Sequence, residues 1–191
     1  MILFLIITCE NYTHMSQQKF SQCKESVKKC VMERPMTFMK LVSETQCASE
    51  TVEKYLSEFL KEMTIVQKKG KFRIIYSPDL DKEIVEFYEL LLNPTIKSIV
   101  IVLLKSNNPL SQIELVSITE KSNPSISRGL KLLLDKRIIR RNYHAPFSTY
   151  ELIDKDYVFE MLDKTYPEIS HNFGKFELCY PQPKIFLDVH Q

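Results

Sequence analysis

Residues 110–141 read LSQIELVSITEKSNPSISRGLKLLLDKRIIRR, and this stretch decides the fold. Its apolar residues Ile126, Leu130 and Leu133 recur at helical spacing, which predicts an amphipathic helix with one buried face. The dipeptide Asn123-Pro124 predicts the start of that helix, because asparagine is a common N-cap and proline is tolerated in the first turn. The stretch therefore predicts a second helix of a helix-turn-helix pair.

A shorter helix precedes it and a β-hairpin follows it. Ser111 and Glu114 have the spacing of a capping box, which predicts a helix from there to about Thr119. Two β-rich runs, 138–143 and 148–153, then flank a turn around His144-Ala145-Pro146. Helix, short turn, helix and hairpin together predict a winged helix-turn-helix.

The chain also resembles itself. Residues 36–67, MTFMKLVSETQCASETVEKYLSEFLKEMTIVQ, align without a gap on 110–141 at an offset of 74, and seven positions are identical. Since the apolar spacing matches as well, we predict the same elements in both copies. The predicted fold class is mainly α with small β-hairpin wings, arranged as a tandem winged helix-turn-helix. Helices are predicted at 17–33, 37–45, 50–63, 81–92, 95–105 and 155–165, and the first wing at 64–77.

This parse predicts four segments. They are a leader over 1–15 that we expect to be disordered, a first winged-helix domain over 16–93, a second over 94–165, and a C-terminal tail over 166–191. The apolar run over residues 1–7 is much shorter than the roughly 20 residues that span a bilayer, so we expect no membrane partner.

Residues 123–141, NPSISRGLKLLLDKRIIRR, resemble the recognition helix and wing entrance of MarR- and ArsR-like winged-helix regulators. That resemblance implies duplex DNA as the ligand. The sequence departs from the family at Arg137, where these regulators usually have glycine, and it lacks the CxC pair of the ArsR metal sensors. The second departure argues against a metal-sensing role.

Charge separates the two copies. Residues 121–141 contain seven cations and one acid, whereas the aligned residues 47–67 contain two cations and four acids. Because DNA is a polyanion, we expect the second copy to be the better DNA reader. The first copy is then an auxiliary or partner-binding module.

The predicted DNA contacts lie on the second recognition helix and on both wings. Arg128 lies opposite the apolar stripe, where an arginine can contact guanine in the major groove. A solvated basic face is the alternative for each of these positions. The full set is Ser125, Ser127, Arg128, Lys131, Arg140 and Arg141 in the second copy, with Lys54, Lys68, Lys69 and Lys71 in the first.

Motifs for catalysis and for cofactor binding are missing. Only three glycines occur, and neither a GxGxxG nor a P-loop pattern is present, so we expect no enzyme, no cofactor and no metal site. The five cysteines are odd in number and scattered, which predicts free thiols and a cytoplasmic location.

We therefore predict a sequence-specific double-stranded DNA-binding transcriptional regulator. The alternative is a non-catalytic tandem winged-helix adaptor in a chromosome-segregation or polymerase-associated assembly, since the acidic first recognition helix suits a protein partner.

A homodimer is also predicted, because apolar faces on the lead helix and on the 155–165 helix lack an obvious cover. The alternative is that these faces pack within the chain. The residues concerned are Phe20, Cys23, Val27, Cys30 and Val31, and Val158, Met161 and Leu162.

Overall fold

The computed structural model describes residues 21–144, 147–171 and 173. They form two compact units, which divide between Leu91 and Leu92. The division lies two residues before the predicted boundary at Asn93-Pro94.

The first unit surrounds a three-stranded antiparallel sheet. Its elements are α1 (21–33), β1 (Met36–Thr37), α2 (Phe38–Thr45), α3 (Ser49–Lys61), β2 (Val66–Lys68), β3 (Ile74–Tyr76) and α4 (Lys82–Leu91). The strand order is β1-β3-β2, so β3 lies in the middle, between its hairpin partner β2 and the short strand β1. Buried side chains of α1, α2, α3 and the sheet form one core: Val27, Val31, Met36, Leu41, Val52, Tyr55, Leu56, Phe59, Ile65 and Ile75.

The second unit has the same internal plan. Its elements are α5 (Pro94–Lys105), β4 (Leu110–Ser111), α6 (Gln112–Thr119), α7 (Asn123–Asp135), β5 (Ile139–His144), β6 (Phe147–Leu152), α8 (Lys155–Thr165) and α9 (Pro167–Ser170). The strand order β4-β6-β5 matches that of the first sheet. The predicted fold class, mainly α with small β wings, is confirmed.

Backbone conformation repeats at the 74-residue offset. Among the described residues, positive φ occurs in two aligned pairs, Gln46 with Glu120 and Met63 with Arg137, at 53° to 55°. The first pair ends α2 and α6, and the second ends the turn after α3 and α7. Each helix pair is therefore terminated in the same way in both units.

Several predicted element boundaries shift. The capping box is confirmed, because Ser111 accepts from the Glu114 amide and the Glu114 carboxylate accepts from the Ser111 amide. Asn123 is the first residue of α7 rather than its cap, and Ser122 occupies the cap position. Strands β1 and β4 were not predicted, because two-residue strands have no periodicity of their own.

The apolar faces predicted for dimerization are buried inside their own units. Val27 and Val31 on α1, and Val158 and Leu162 on α8, are each at most 1% exposed. These faces therefore no longer argue for a dimer. The spacing of the apolar residues predicted that each face is buried, but it did not identify what buries it. Phe20 lies outside the described residues.

The prediction of free thiols is wrong for two of the cysteines. Cys23 on α1 and Cys47 in the turn before α3 form a disulfide, with their Cα atoms 6.2 Å apart. Cys30 is free and half-buried, and its burial raises the pKa of its thiol. Scattered positions in sequence meet here because α1 packs on the turn of the helix pair. Cys9 and Cys179 lie outside the described residues.

The second unit continues beyond Thr165. Tyr166 is buried, and Phe173 packs edge-on against Phe159 at 6.0 Å between ring centroids. The predicted leader over 1–15 and the tail from residue 174 onward lie outside the described residues. Within the described part of the chain, no single helix is long and apolar enough to cross a membrane. The bent pair α4–α5 together has the length and apolar composition of a membrane span, and this is a match by length and composition only.

Candidate nucleic-acid interface

Helix α7 is held against α5 by a close backbone approach at Gly129. A β-carbon built there would lie 2.8 Å from Ile99 Cδ1, which is closer than real contacts allow. Ile126, Leu130 and Leu133 of α7 are buried on the same side. Because one face of α7 is fixed in this way, its opposite face is left to solvent.

The open face of α7 carries three of the ten predicted contacts. Ser127, Arg128 and Lys131 are exposed, and Arg128 lies opposite the apolar stripe as predicted. Arg128 Nε donates to the carbonyl oxygen of Pro124, one turn earlier, at 3.2 Å, so the guanidinium lies along its own helix. Ser125 is half-buried, and its hydroxyl pairs with that of Ser122 at 2.8 Å. This hydrogen bond makes Ser125 the least accessible of the predicted contacts on α7.

The second wing places its two arginines on opposite faces. Arg140 Nε donates to Glu151 Oε1 at 2.8 Å, and Arg141 Nε donates to Ser148 Oγ at 2.8 Å. The pKa of Glu151 is lowered by a hydrogen bond from Asn142 and by the Arg140 guanidinium. The charge of Arg140 is therefore partly neutralised by the Glu151 carboxylate, whereas Arg141 is bonded to a neutral hydroxyl, which does not offset its positive charge.

In the corresponding helix of the first unit, two of the acids are paired with cations of the same unit. Arg73 makes a two-pronged contact with Glu53 at 2.5 and 3.0 Å, and its guanidinium carbon lies 5.0 Å from the centroid of the Phe38 ring. Lys24 Nζ donates to Glu58 Oε2 at 2.9 Å. Hydrogen bonds from these cations lower the pKa of both carboxyl groups. Sequence analysis missed both pairs, because their members lie 20 and 34 residues apart.

The predicted cations of the first unit lie on α3 and on its wing. Lys54 is exposed on α3, and Lys68 Nζ donates to Glu89 Oε2 at 2.5 Å, which raises the pKa of Lys68. Lys71 Nζ lies 5.5 Å from the Phe72 ring centroid. Lys69 lines an open cleft of about 470 Å³ between α3 and the wing. Three of the four lysines, Lys68, Lys69 and Lys71, therefore belong to the wing, and Lys68 is paired with a carboxylate.

Two exposed aromatic residues on the second wing were also missed by sequence analysis. Tyr143 and Phe147 are 68% and 65% exposed. Their positions on either side of the predicted hairpin turn could have indicated that both rings are exposed. Among the described residues, no group of three His, Cys, Asp or Glu side chains could hold a metal ion.

No protein-family model and no curated protein matches the chain. Among solved structures, the chain is similar to the homodimeric winged helix-turn-helix DNA-binding domain of Mb0332 from Mycobacterium bovis, described as a possible ArsR-family transcriptional regulator. The TM-score is 0.38 and the identity 10%, over 55% of this chain and 99% of that one.

Two further similarities cover more of the chain. The mRNA-binding domain of elongation factor SelB from E. coli matches 71% of this chain and 98% of its own, at 14% identity and a TM-score of 0.28. ScpB from Mycobacterium tuberculosis matches 75% of this chain and 96% of its own, at 13% identity and a TM-score of 0.27. All three TM-scores are below 0.5, so the winged-helix assignment rests on the strand order, the caps and the buried helix faces described above.

Proposed function

We propose that the protein is a sequence-specific double-stranded DNA-binding transcriptional regulator without catalytic activity, and that α7 is its recognition helix. The observation that carries this proposal is the open face of α7, where Arg128 and Lys131 are exposed beside Ser127. The resemblance of residues 123–141 to MarR- and ArsR-like regulators, and the repeated arrangement of the two units, support it. We also propose a cytoplasmic location, on the ground that a regulator shares a compartment with its DNA. The Cys23–Cys47 disulfide removes the earlier ground, which was free thiols in a reducing cytosol.

The chemistry of the face suits a duplex. An α-helix fits the major groove, where an arginine can donate two hydrogen bonds to the O6 and N7 atoms of a guanine. Arg128 is exposed and tethered only by its Nε, so its terminal nitrogens can turn toward a base edge. Serine and lysine bind phosphate without reading sequence. Ser127, Lys131 and the wing residue Arg141 would hold the backbone while Arg128 selects the base.

The test is Arg128→Ala. Loss of a base-edge contact should weaken specific binding by about 1–3 kcal/mol and relax the preference at one base position. Site selection from random duplexes, followed by binding measurements on the selected site, would show both effects. Lys82→Ala, at an exposed lysine on α4, is the matched control. Unchanged affinity and unchanged preference in the Arg128 variant would refute the assignment.

One observation favours an adaptor as the second candidate. In the first unit, Leu60, Met63 and Phe72 are exposed around α3 and its wing. Two acids of α3, Glu53 and Glu58, are already paired within the unit. An apolar surface of this kind suits a protein partner at the first unit. Binding to DNA should weaken steeply with salt through counterion release, whereas salt-insensitive binding to a protein would favour the adaptor.

A homodimer remains part of the proposal only through other surfaces, because the apolar faces of α1 and α8 are covered within their units. Twofold pairing would place two copies of α7 about 34–36 Å apart on successive major grooves. Sedimentation equilibrium decides this point. A mass of one chain together with a non-palindromic site would exclude the dimer.

A further inference from the structure

The second wing extends beyond the core of its unit. Its strands pair from Ile139 with Leu152 to His144 with Phe147. Ile139, Tyr150 and Leu152 are buried at the base of the hairpin, whereas Tyr143 and Phe147 near its tip are largely exposed. Both rings are more exposed than any other described tyrosine or phenylalanine. The wing therefore presents apolar rings where no core covers them.

The two rings lie on opposite faces of the hairpin. Tyr143 pairs directly with Ser148, so these two residues share a face. Phe147 precedes Ser148 by one residue and therefore points to the other face. A ring is thus available on each side of the tip.

A cation is fixed next to one ring. Arg141 lies two residues before Tyr143, on the same face. Its Nε donates to the hydroxyl of Ser148, the residue directly across from Tyr143, at 2.8 Å. Residues 141–144 and 147–149 include no acid, and the nearest, Glu151, is already bonded to Arg140 and Asn142. An aromatic face beside a held guanidinium matches the two parts of a nucleotide, its base and its phosphate.

We infer that the tip of the second wing is a stacking site for unpaired DNA bases, with Tyr143 as the platform and Arg141 as the phosphate contact. Phe147 offers a second platform on the opposite face. Stacking on aromatic rings is the usual way in which proteins hold unpaired bases, and it tolerates any sequence. The inference rests on the proposed DNA-binding function.

The dimensions of the tip argue against a contact in the minor groove. A sheet with side chains on both faces occupies about 10 Å in thickness. The minor groove of B-form DNA is only about 6 Å wide. A hairpin that carries a large ring on each face is therefore too thick for that groove, whereas an opened or single-stranded segment imposes no such limit.

The experiment compares fluorescence anisotropy on three DNAs of one sequence: a perfect duplex, the same duplex with a central mismatched bubble, and one strand alone. The wild-type chain should prefer the bubble to the perfect duplex by about 5- to 150-fold, the range that stacking of one base provides. Tyr143→Ala should reduce the preference at least about fivefold, leaving at most the part that Phe147 provides, and should leave duplex affinity unchanged. Tyr143→Phe keeps the ring and should retain the preference.

Phe72→Ala, which removes a partly exposed ring from the first wing, is the matched control and should change nothing. Because Tyr143 is exposed, its replacement should leave the fold intact, which circular dichroism can verify. Equal wild-type affinity for bubble and duplex would overturn the inference. An equal loss on both DNAs in Tyr143→Ala would overturn it as well, since the ring would then contact duplex.

The same measurements distinguish failure of the proposed regulator function from failure of the stacking site. Arg128→Ala should weaken binding to the perfect duplex, whereas Tyr143→Ala should alter only the bubble-to-duplex ratio. Binding of the single strand that depends on Tyr143, without any binding of the duplex, would remove the proposed regulator function and support the stacking site. Binding of the duplex without bubble preference would do the reverse.

Discussion

Helices α3 and α7 occupy the same position in two units with the same strand order, yet they present different surfaces. On α3 the carboxylates of Glu53 and Glu58 are tied to Arg73 and Lys24 within the unit. On α7 the face around Arg128 is cationic and open. The two units share a backbone plan, so this difference in surface charge arises from the outward-facing side chains. Fold similarity between the units therefore does not imply a shared ligand.

The interiors differ as well. Gly129 on α7 aligns with Tyr55 on α3, and both positions face their cores. The tyrosine fills space in the first unit, whereas the glycine lets α7 approach α5 closely. The first unit is additionally cross-linked by Cys23 and Cys47, and the aligned position in the second unit is Lys121. The two units thus reach similar architectures by different packing.

The largest expected effect tests whether the units are separable. Phe59 and Leu133 are aligned and at most 1% exposed. Phe59→Ala should cost about 3–5 kcal/mol and Leu133→Ala about 2–5 kcal/mol of unfolding free energy, because each leaves a cavity. Hydrogen exchange should show lost protection only in the unit that carries the change. Protection lost across both units in either variant would mean that they unfold together.

The disulfide should matter next, and only in the first unit. It joins residues 24 apart in sequence, for which the loop-entropy model gives about 3.5 kcal/mol. Cys23→Ser with Cys47→Ser should lower the stability of the first unit, measured by denaturant unfolding, and leave duplex binding by α7 intact. Cys30→Ser is the control, at a cysteine that forms no disulfide. Equal stability with and without reductant would contradict the prediction.

Charge reversal compares the recognition helices directly. Arg128→Glu should reduce duplex affinity at least about tenfold, because it replaces a base contact by a repulsive charge. Lys54→Glu, at the aligned position, should reduce it much less, since Lys54 lies among four acids. Binding titrations at one fixed salt concentration measure both. Equal losses would show that both helices enter grooves, and the acids of α3 would then serve to reject wrong sites.

The smallest effect concerns acid stability. The pKa of Glu53 is lowered from 4.5 by its hydrogen bonds from Arg73. A carboxyl group with a lowered folded pKa stabilises the fold above its unfolded pKa, and this contribution is lost as the pH falls through the folded value. The free energy of unfolding should therefore fall less steeply below about pH 4.5 in Glu53→Gln than in the wild-type chain. The difference should be less than about 1 kcal/mol, because the ion pair is partly exposed. Thermal unfolding across pH measures this, with Glu50→Gln on the same helix as control. An unchanged pH dependence would contradict the prediction.

Local signals in the sequence predicted the elements well. The capping box at Ser111, and the bounds of α8, which the structure places at Lys155–Thr165, were predicted at the observed positions. The apolar stripe of α7 also identified its buried face. These features depend on residues within a few positions of one another, so the chain pattern contains them.

Features that depend on distant residues were not predictable in this way. Strands β1 and β4 exist only because β3 and β6 pair with them. The Cys23–Cys47 disulfide and the Glu53–Arg73 pair join residues that only the packing of α1 and the wing brings together. The periodicity of α1 and α8 showed that a face is buried but not whether a second chain or the same unit covers it.

The turns that follow α3 and α7 have a consequence for protein engineering. Met63 and Arg137 adopt φ near 55°, a conformation that costs a residue with a β-carbon about 1–2 kcal/mol and costs glycine little. Glycine at Met63 would relieve this cost without changing the charge. Glycine at Arg137 would relieve it too, but would also remove a cation from the wing entrance. A more heat-resistant variant of the first unit therefore keeps the charge of that unit and changes only its exposed apolar surface, whereas in the second unit the gain is coupled to electrostatic attraction for a polyanion.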